Sequence, residues 1–303
     1  MTGLPHYLPI LRRALPWSGA VWKADHQELL NAYFQARAVR WKDVYESKGL
    51  MATIYRARRD AVLRHADLLR LPRGSQILDA GCGAGLIAVA LALRGHEVHA
   101  VDTVPSMIEQ TRQRALAEGV QQNVRVRLDD VRHLSFENDR FDLAVSVGVI
   151  PWVDDPLQSL RELARVMKPG GHLILAVDNK RRLNNVLDPW RLPSLGPLRR
   201  RIGKAFEKIG YRPEVSNPRA SFHSIKETDA MLSMAGLIKV EGKTLGFGPF
   251  TFLNRALFSD RGGIVVHSKM QGWADHGVFP FRSTGMVYLV LATKNRSPEG
   301  PAG

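Results

Sequence analysis

The chain has 303 residues, 45% of them hydrophobic and 8% aromatic, with one cysteine and a formal charge of +14 at pH 7. It is long enough to bury a substantial core. The lone Cys82 excludes an internal disulfide, no run approaches the ~20 uncharged apolar residues that span a bilayer, and no His/Cys cluster has metal-ligand spacing. The charge favours a nucleic acid, an anionic membrane or a negatively charged small molecule as partner, and a reducing cytosol suits a single thiol.

Residues 1–22 are apolar but broken by Pro5, Pro9 and Pro16 and charged at Arg12 and Arg13. They lack the continuous apolar run of a secretory signal. From 17 to 71 the pattern is helical, with Leu29, Leu30, Tyr33 and Phe34 at helical spacing and Tyr45, Tyr55, Val62 and Leu63 continuing it. We expect residues 1–71 to form a helical N-terminal cap, closed by the Pro72-Arg73-Gly74 boundary. Strand and helix signals then alternate: strands at 76–79, 97–101, 124–128, 141–146 and 172–177, helices at 86–93, 105–118 and 156–166. Pro105 suits a helix first turn, and Gly95, Gly119 and Gly170 suit helix ends. Such alternation predicts a parallel sheet with helices on both faces and a ligand at the carboxyl ends of the strands.

Residues 178–222 form a first insertion, rich in Pro, Arg and Gly. Lys180, Arg181, Arg182, Arg191, Arg199, Arg200, Arg201, Lys204, Lys208 and Arg212 are opposed there only by Asp188 and Glu207. This is either a solvated basic face or an anion-binding surface. Ser224 with Glu227 three residues on has the form of a capping box, opening a helix that Gly236 stops. Strands follow at 237–245 and 285–293, separated by a second insertion at 246–284. That insertion carries Phe247, Phe250, Phe252, Leu253, Leu257, Phe258, Trp273, Phe279 and Phe281. The tail, 295–303, reads as disordered.

The densest signal is Ile77-Leu78-Asp79-Ala80-Gly81-Cys82-Gly83-Ala84-Gly85-Leu86. An apolar strand ends in an acid and turns through three alternating glycines into an apolar helix. Gly81 and Gly83 let a ligand lie against the main chain, and Gly85 permits close helix–strand packing. The next strand ends at Asp102, where an acid accepts hydrogen bonds from a ribose diol. The third glycine of a dinucleotide fingerprint would fall at Leu86, so G-x-G-x-x-G is not met.

This segment resembles the first motif of class I S-adenosylmethionine-dependent methyltransferases. Leu128-Asp129-Asp130-Val131, Phe141-Asp142-Leu143-Ala144-Val145-Ser146 and Arg165-Val166-Met167-Lys168-Pro169-Gly170-Gly171 resemble its later motifs in order. The resemblance covers about 77–177 and implies a Rossmann-like seven-stranded sheet whose last strand is antiparallel. It also implies S-adenosylmethionine as cofactor. Asp79 would attract the amino group, and Gly81, Cys82, Gly83 and Gly85 would build the loop. Asp102 with Thr103 would hold the ribose. Asp130 and Val131 would read the adenine, with Asp129 as a solvated neighbour. Ser146 and Val147 would lie near the transferred methyl. Residues 41–45 resemble segments that reach the cofactor in related lipid and pigment methyltransferases. That makes Tyr45 a pocket residue or, alternatively, a core aromatic.

Ubiquinone-pathway O-methyltransferases resemble this core and often carry a His after strand four; Trp152 stands in that region here. The candidate general bases are therefore His223 and His276. Two aromatic, basic insertions suggest an amphipathic small-molecule acceptor and O-methylation, in a cytoplasmic protein with peripheral contact to an anionic membrane. Two alternatives stand beside this: an RNA methyltransferase using the basic stretch, and a non-catalytic binding or assembly protein on the same fold. Nucleic acid is disfavoured because neither an RNA-binding module nor a nucleobase-methylating motif is present.

Overall fold

The computed structural model describes residues 26–188, 201, 220–253 and 255–295. Residues 1–25, most of the basic stretch (Arg191, Arg199, Arg200, Lys204, Lys208 and Arg212) and the tail from 296 lie outside them.

Seven strands form one sheet in the order β3-β2-β1-β4-β5-β9-β6. They are β1 (Gln76–Ala80), β2 (Glu97–Asp102), β3 (Val124–Leu128), β4 (Phe141–Val147), β5 (Met167–Asp178), β6 (Leu237–Leu245) and β9 (Val287–Lys294). The first five are parallel, and β9 runs antiparallel to both β5 and β6. Central strands are buried on both faces, so they read as unbroken apolar runs. On one face Ile77, Leu143, Val145, Ile174 and Leu289 pack under α2 (Leu50–Leu68) and α3 (Leu86–Ala92). On the other Leu78, Ala144, Leu173, Leu175 and Val290 pack against Leu160 and Leu163 of α5 (Pro156–Val166). Each such side chain contributes about 1.5–3 kcal/mol of burial. The exposed edge strand β6 carries Lys239, Glu241 and Lys243, charges that discourage pairing with another chain.

The elements follow one another along the chain as the sequence places them, with two differences. β5 begins at Met167, five residues earlier than the apolar run suggests, because Met167 pairs with Phe141 across a register shift. The second insertion is also more structured than its composition suggests. It holds a hairpin of β7 (Thr251–Phe252) and β8 (Arg255–Ala256), then α8 (Asp260–Asp275) and α9 (Phe281–Thr284). Gly262, Gly263 and Gly272 hide α8 from propensity. Packing explains the second: a Cβ on Gly263 would come within 2.8 Å of Leu50 on α2.

α1 (His26–Glu46) and α2 lie over the carboxyl ends of the strands, with α4 (Pro105–Ala117) beside them. Thr103 after β2 donates to Asn31 of α1 (2.9 Å) and accepts from Gln27 (3.3 Å). Phe34 of α1 stacks edge-on against Trp152 at 5.2 Å. Ser224 and Glu227 cap α7 (Ile225–Met234) reciprocally, as the sequence predicts. Among the described residues no helix is long and apolar enough to cross a membrane.

Candidate active site

A cavity of about 530 Å³ opens where β1, β2, β4 and β5 end, roofed by α1 and α2. Its floor is the glycine turn. The amides of Gly81 and Cys82 both donate to Val101 O, at 2.8 and 2.9 Å, tying the turn to β2. Gly81 has φ +79°, and a Cβ there would overlap Val149. Gly85, φ +75°, does not line the cavity; its Cβ would meet Thr111 of α4 at 2.8 Å. Its role is thus to let α3 approach α4, not the strand. Cys82 is buried, its thiol pushed up chiefly by burial and then by the charges of Asp79 and Asp102. It is an inert packing residue.

Two carboxyls lie at this floor. Asp79 is 2% exposed, and its Oδ2 has no hydrogen-bond partner among the described residues. Burial pushes its pKa up to about 7, opposed by the Ala88 amide and assisted by the Asp102 charge. A desolvated carboxylate with an empty acceptor calls for a cation. Asp102 accepts from Gly83 N and Val104 N, each at 3.0 Å, one on each oxygen. The remaining lone pairs can each accept a ligand hydroxyl. Burial raises its pKa and those amides lower it.

Asp129, Asp130 and Val131 all line the next wall. The expected solvation of the two acids is reversed. Asp129 is the enclosed one, its side chain 5% exposed and accepting from Ser135 N, Ser135 Oγ and Arg127. Asp130 is held in a fork by Arg132, with Nη2 to Oδ2 at 2.6 Å, and its pKa falls as Arg132's bonds outweigh burial. Ser146 does not line the cavity. It is fully buried and shares its face of β4 with Ala144, on the far side of the sheet. Val147, expected beside it, does line the cavity, together with Gly148 and Val149.

The opposite end of the cavity comes from elements that the sequence reading left uncast. Arg58 of α2 is 9% exposed, and its Nε is buried without a hydrogen-bond partner. Its Nη2 donates to Tyr45 Oη (3.1 Å), and its Nη1 lies 3.4 Å from where a Cβ on Gly148 would be. Tyr45 therefore lines the cavity and also orients Arg58. Tyr55, Asp178, Arg182, Asn184 and Phe222 complete this end with apolar Met51, Ile54 and Met286. Arg58 hid among the many arginines of α2. Asp178 carried a usable signal, since it ends a parallel strand as Asp79 and Asp102 do.

Neither candidate histidine reaches the cavity. His223 forms a bridge with Asn179, its carbonyl accepts from Lys180 N at 2.9 Å, and Phe222 rather than His223 faces inward. Alternation along an extended segment sends adjacent side chains to opposite sides. His276 caps the end of α8, exposed, with Nδ1 against Gly272 O at 2.7 Å.

Residues 78–175 match the family described as Methyltransferase domain. The chain is 33% identical over 156 residues to the ubiquinone biosynthesis O-methyltransferase of Xanthomonas oryzae pv. oryzae, covering 51% of this chain and 62% of that protein. The same-named protein of Xanthomonas campestris pv. campestris is 35% identical over an equal span. The match thus takes in less than two thirds of these relatives' length. Among solved structures, the cyclase SpnF superposes with a TM-score of 0.58 at 16% identity, covering 88% of this chain and 96% of that one. Geranyl diphosphate C-methyltransferase from Streptomyces coelicolor superposes at 0.53 and 17% identity, covering 84% and 83%.

Proposed function

We propose that this chain, a class I methyltransferase fold with its methyltransferase domain at 78–175, transfers a methyl group from S-adenosylmethionine to an amphipathic small molecule, at oxygen. The observation that carries this is the pairing of opposite charges around the glycine turn. Among the described residues Asp79 offers one carboxylate oxygen, Oδ2, without a hydrogen-bond partner, and Arg58 offers a buried guanidinium whose Nε has none; both residues line one cavity. A zwitterionic amino-acid group satisfies both at once, its ammonium toward Asp79 and its carboxylate toward Arg58. Asp102 would hold the ribose diol, and the Asp130–Val131 wall would receive the adenine. The sulfonium of the cofactor supplies the electrophilic methyl. The protein's part is to position it, exclude water and take a proton from the acceptor.

A cavity roofed by two helices favours a small acceptor over RNA. Its apolar lining of Leu30, Phe34, Met51, Ile54 and Met286 suits an apolar body. The β7–β8 hairpin exposes Phe252, Leu253, Leu257 and Phe258 beside Arg255 and Arg261. That combination supports contact with an anionic lipid surface. Anionic vesicles should sediment the protein, and Leu253→Ser with Phe252→Ser should release it; equal sedimentation of the variant would remove the membrane from the reading.

Calorimetric titration with S-adenosylmethionine and S-adenosylhomocysteine tests the reading itself. Micromolar binding is expected. A folded protein that binds neither would turn this into a non-catalytic relative. Transfer of labelled methyl to amphipathic phenols, quinols and lipids, with RNA as comparison, then assigns the acceptor.

A further inference from the structure

Two side chains at this end of the cavity, Asn184 and Asp178, offer hydrogen-bond acceptors. Asn184 is 4% exposed and lines the cavity. Its Nδ2 donates to Pro249 O at 2.9 Å. A proline carbonyl can only accept, so this bond fixes the amide's orientation and turns Oδ1 the other way. That Oδ1 is buried with no hydrogen-bond partner among the described residues. Asp178 ends β5 and lines the same cavity. Its nearest cation is Arg182 at 3.9 Å, an ion pair too long for a hydrogen bond. The orphaned Asn184 Oδ1 and the half-buried Asp178 carboxylate, its side chain 24% exposed, complement donors on a ligand in the one cavity that both residues line.

We infer that Asp178 and Asn184 form the acceptor subsite, selective for a hydroxyl compound with a second hydrogen-bond donor nearby, and that Asp178 is the base that removes the hydroxyl proton. This rests on the methyltransferase reading above. In the step, the acceptor O–H bond breaks and its proton passes to the Asp178 carboxylate. The oxygen's electron pair forms the new O–CH3 bond as the S–CH3 bond breaks, leaving a neutral thioether. The proton then leaves Asp178 for water as product departs. The charged neighbours suit this cycle. Burial raises Asp178's pKa, while Arg58 on α2 and Arg182 lower it. A carboxyl between these influences can both take and return a proton. The role also fills the vacancy left by His223 and His276.

The test uses the full chain saturated with S-adenosylhomocysteine, at a pH low enough to keep 4-nitrophenol un-ionised, and two probes of one shape, 4-nitrophenol and 4-nitroanisole. Only the first carries an O–H donor. Nitrophenol should bind at least ten-fold more tightly. Asp178→Asn should erase most of that preference while leaving S-adenosylhomocysteine affinity unchanged, Asp178→Glu should restore part of it, and Asn184→Ala should lower it less. Equal binding of the two probes, binding of neither, or a preference that survives in Asp178→Asn would overturn the inference. Failure to bind S-adenosylhomocysteine in the first place is a separate result, which strikes the methyltransferase reading instead.

Discussion

The two ends of the cavity are built by different means. The floor under the proposed cofactor is assembled from consecutive strand ends: Asp79, Gly81, Gly83 and Asp102 lie within one βαβ unit, where the Gly81 amide donates to Val101 O and the amides of Gly83 and Val104 donate to the Asp102 carboxylate. The acceptor end draws Arg58 from α2, Asp178 and Asn184 from beyond β5, Pro249 from the second insertion and Met286 from the start of β9. Its pieces are clipped together by side chains, as when Asp188 accepts from Thr251 Oγ1 (2.6 Å) and Leu253 N (3.1 Å). A floor made by local backbone geometry has one solution. A roof made by long-range contacts can be rebuilt for another acceptor without disturbing the floor.

The largest effect should come from breaking the floor. Asp102→Ala removes two acceptors for a ribose diol, each charge-assisted bond contributing about 1.5–3 kcal/mol. Affinity for S-adenosylhomocysteine should fall roughly 100-fold or more. A loss of under three-fold in calorimetry would refute the ribose role.

Arg58→Met sharpens the division, because Arg58 sits in the roof yet is proposed to serve the cofactor. Methionine keeps the apolar stem and removes the cation. S-adenosylhomocysteine binding should weaken roughly 10–100-fold, while adenosine, which lacks the amino-acid group, should bind as in the wild type. Equal losses for both ligands would assign Arg58 a purely structural role.

What the sequence made legible follows the same division. Glycines and acids at strand ends announce themselves because their positions follow from short-range rules. Ser146 shows where such rules stop: β4 is apolar on both faces, so hydrophobicity could not say which residue of the alternation turns toward the ligand. Asp129 is more enclosed than Asp130 because its carboxylate organises the turn through Ser135, six residues away. Asp178 obeyed the strand-end rule, but it was also the first residue of an irregular stretch and was read as loop. The helix α8 is masked by three glycines, and the purpose of one of them, Gly263, is room for Leu50, which exists only in the folded chain.

Asp79→Asn should give opposite signs in the ligand-free and liganded protein. Burial pushes the pKa of the folded carboxyl up to about 7 from its ordinary value of 3.8. Between those values the folded state keeps a proton that the unfolded state has lost, so folding stability falls as pH rises through this window and stays low above it. Asparagine removes that penalty. Its thermal advantage should be absent near pH 4 and grow to roughly 2–4 kcal/mol by pH 8. In the same variant S-adenosylmethionine affinity should drop about ten-fold at pH 8, because the ammonium loses its counter-charge. In the wild type that affinity should rise with pH up to about 7, as binding expels the Asp79 proton. A flat profile in both measurements would place the ammonium elsewhere.

The smallest effect is expected where the sequence pointed and the fold did not follow. His223 flanks the acceptor end by one residue, but its neighbour Phe222 occupies the wall, over which Arg182 lies at 4.7 Å from the ring centroid. The His223 imidazole instead feels Glu227 and Lys180, and burial holds its pKa below the ordinary value. Removing the ring leaves the main-chain bond from Lys180 N to His223 O intact. His223→Ala should therefore change S-adenosylhomocysteine and 4-nitrophenol affinities by less than two-fold. A ten-fold loss confined to nitrophenol would mean that the acceptor end extends past Phe222 toward α7, and Asp178 would then share the proton with a second base.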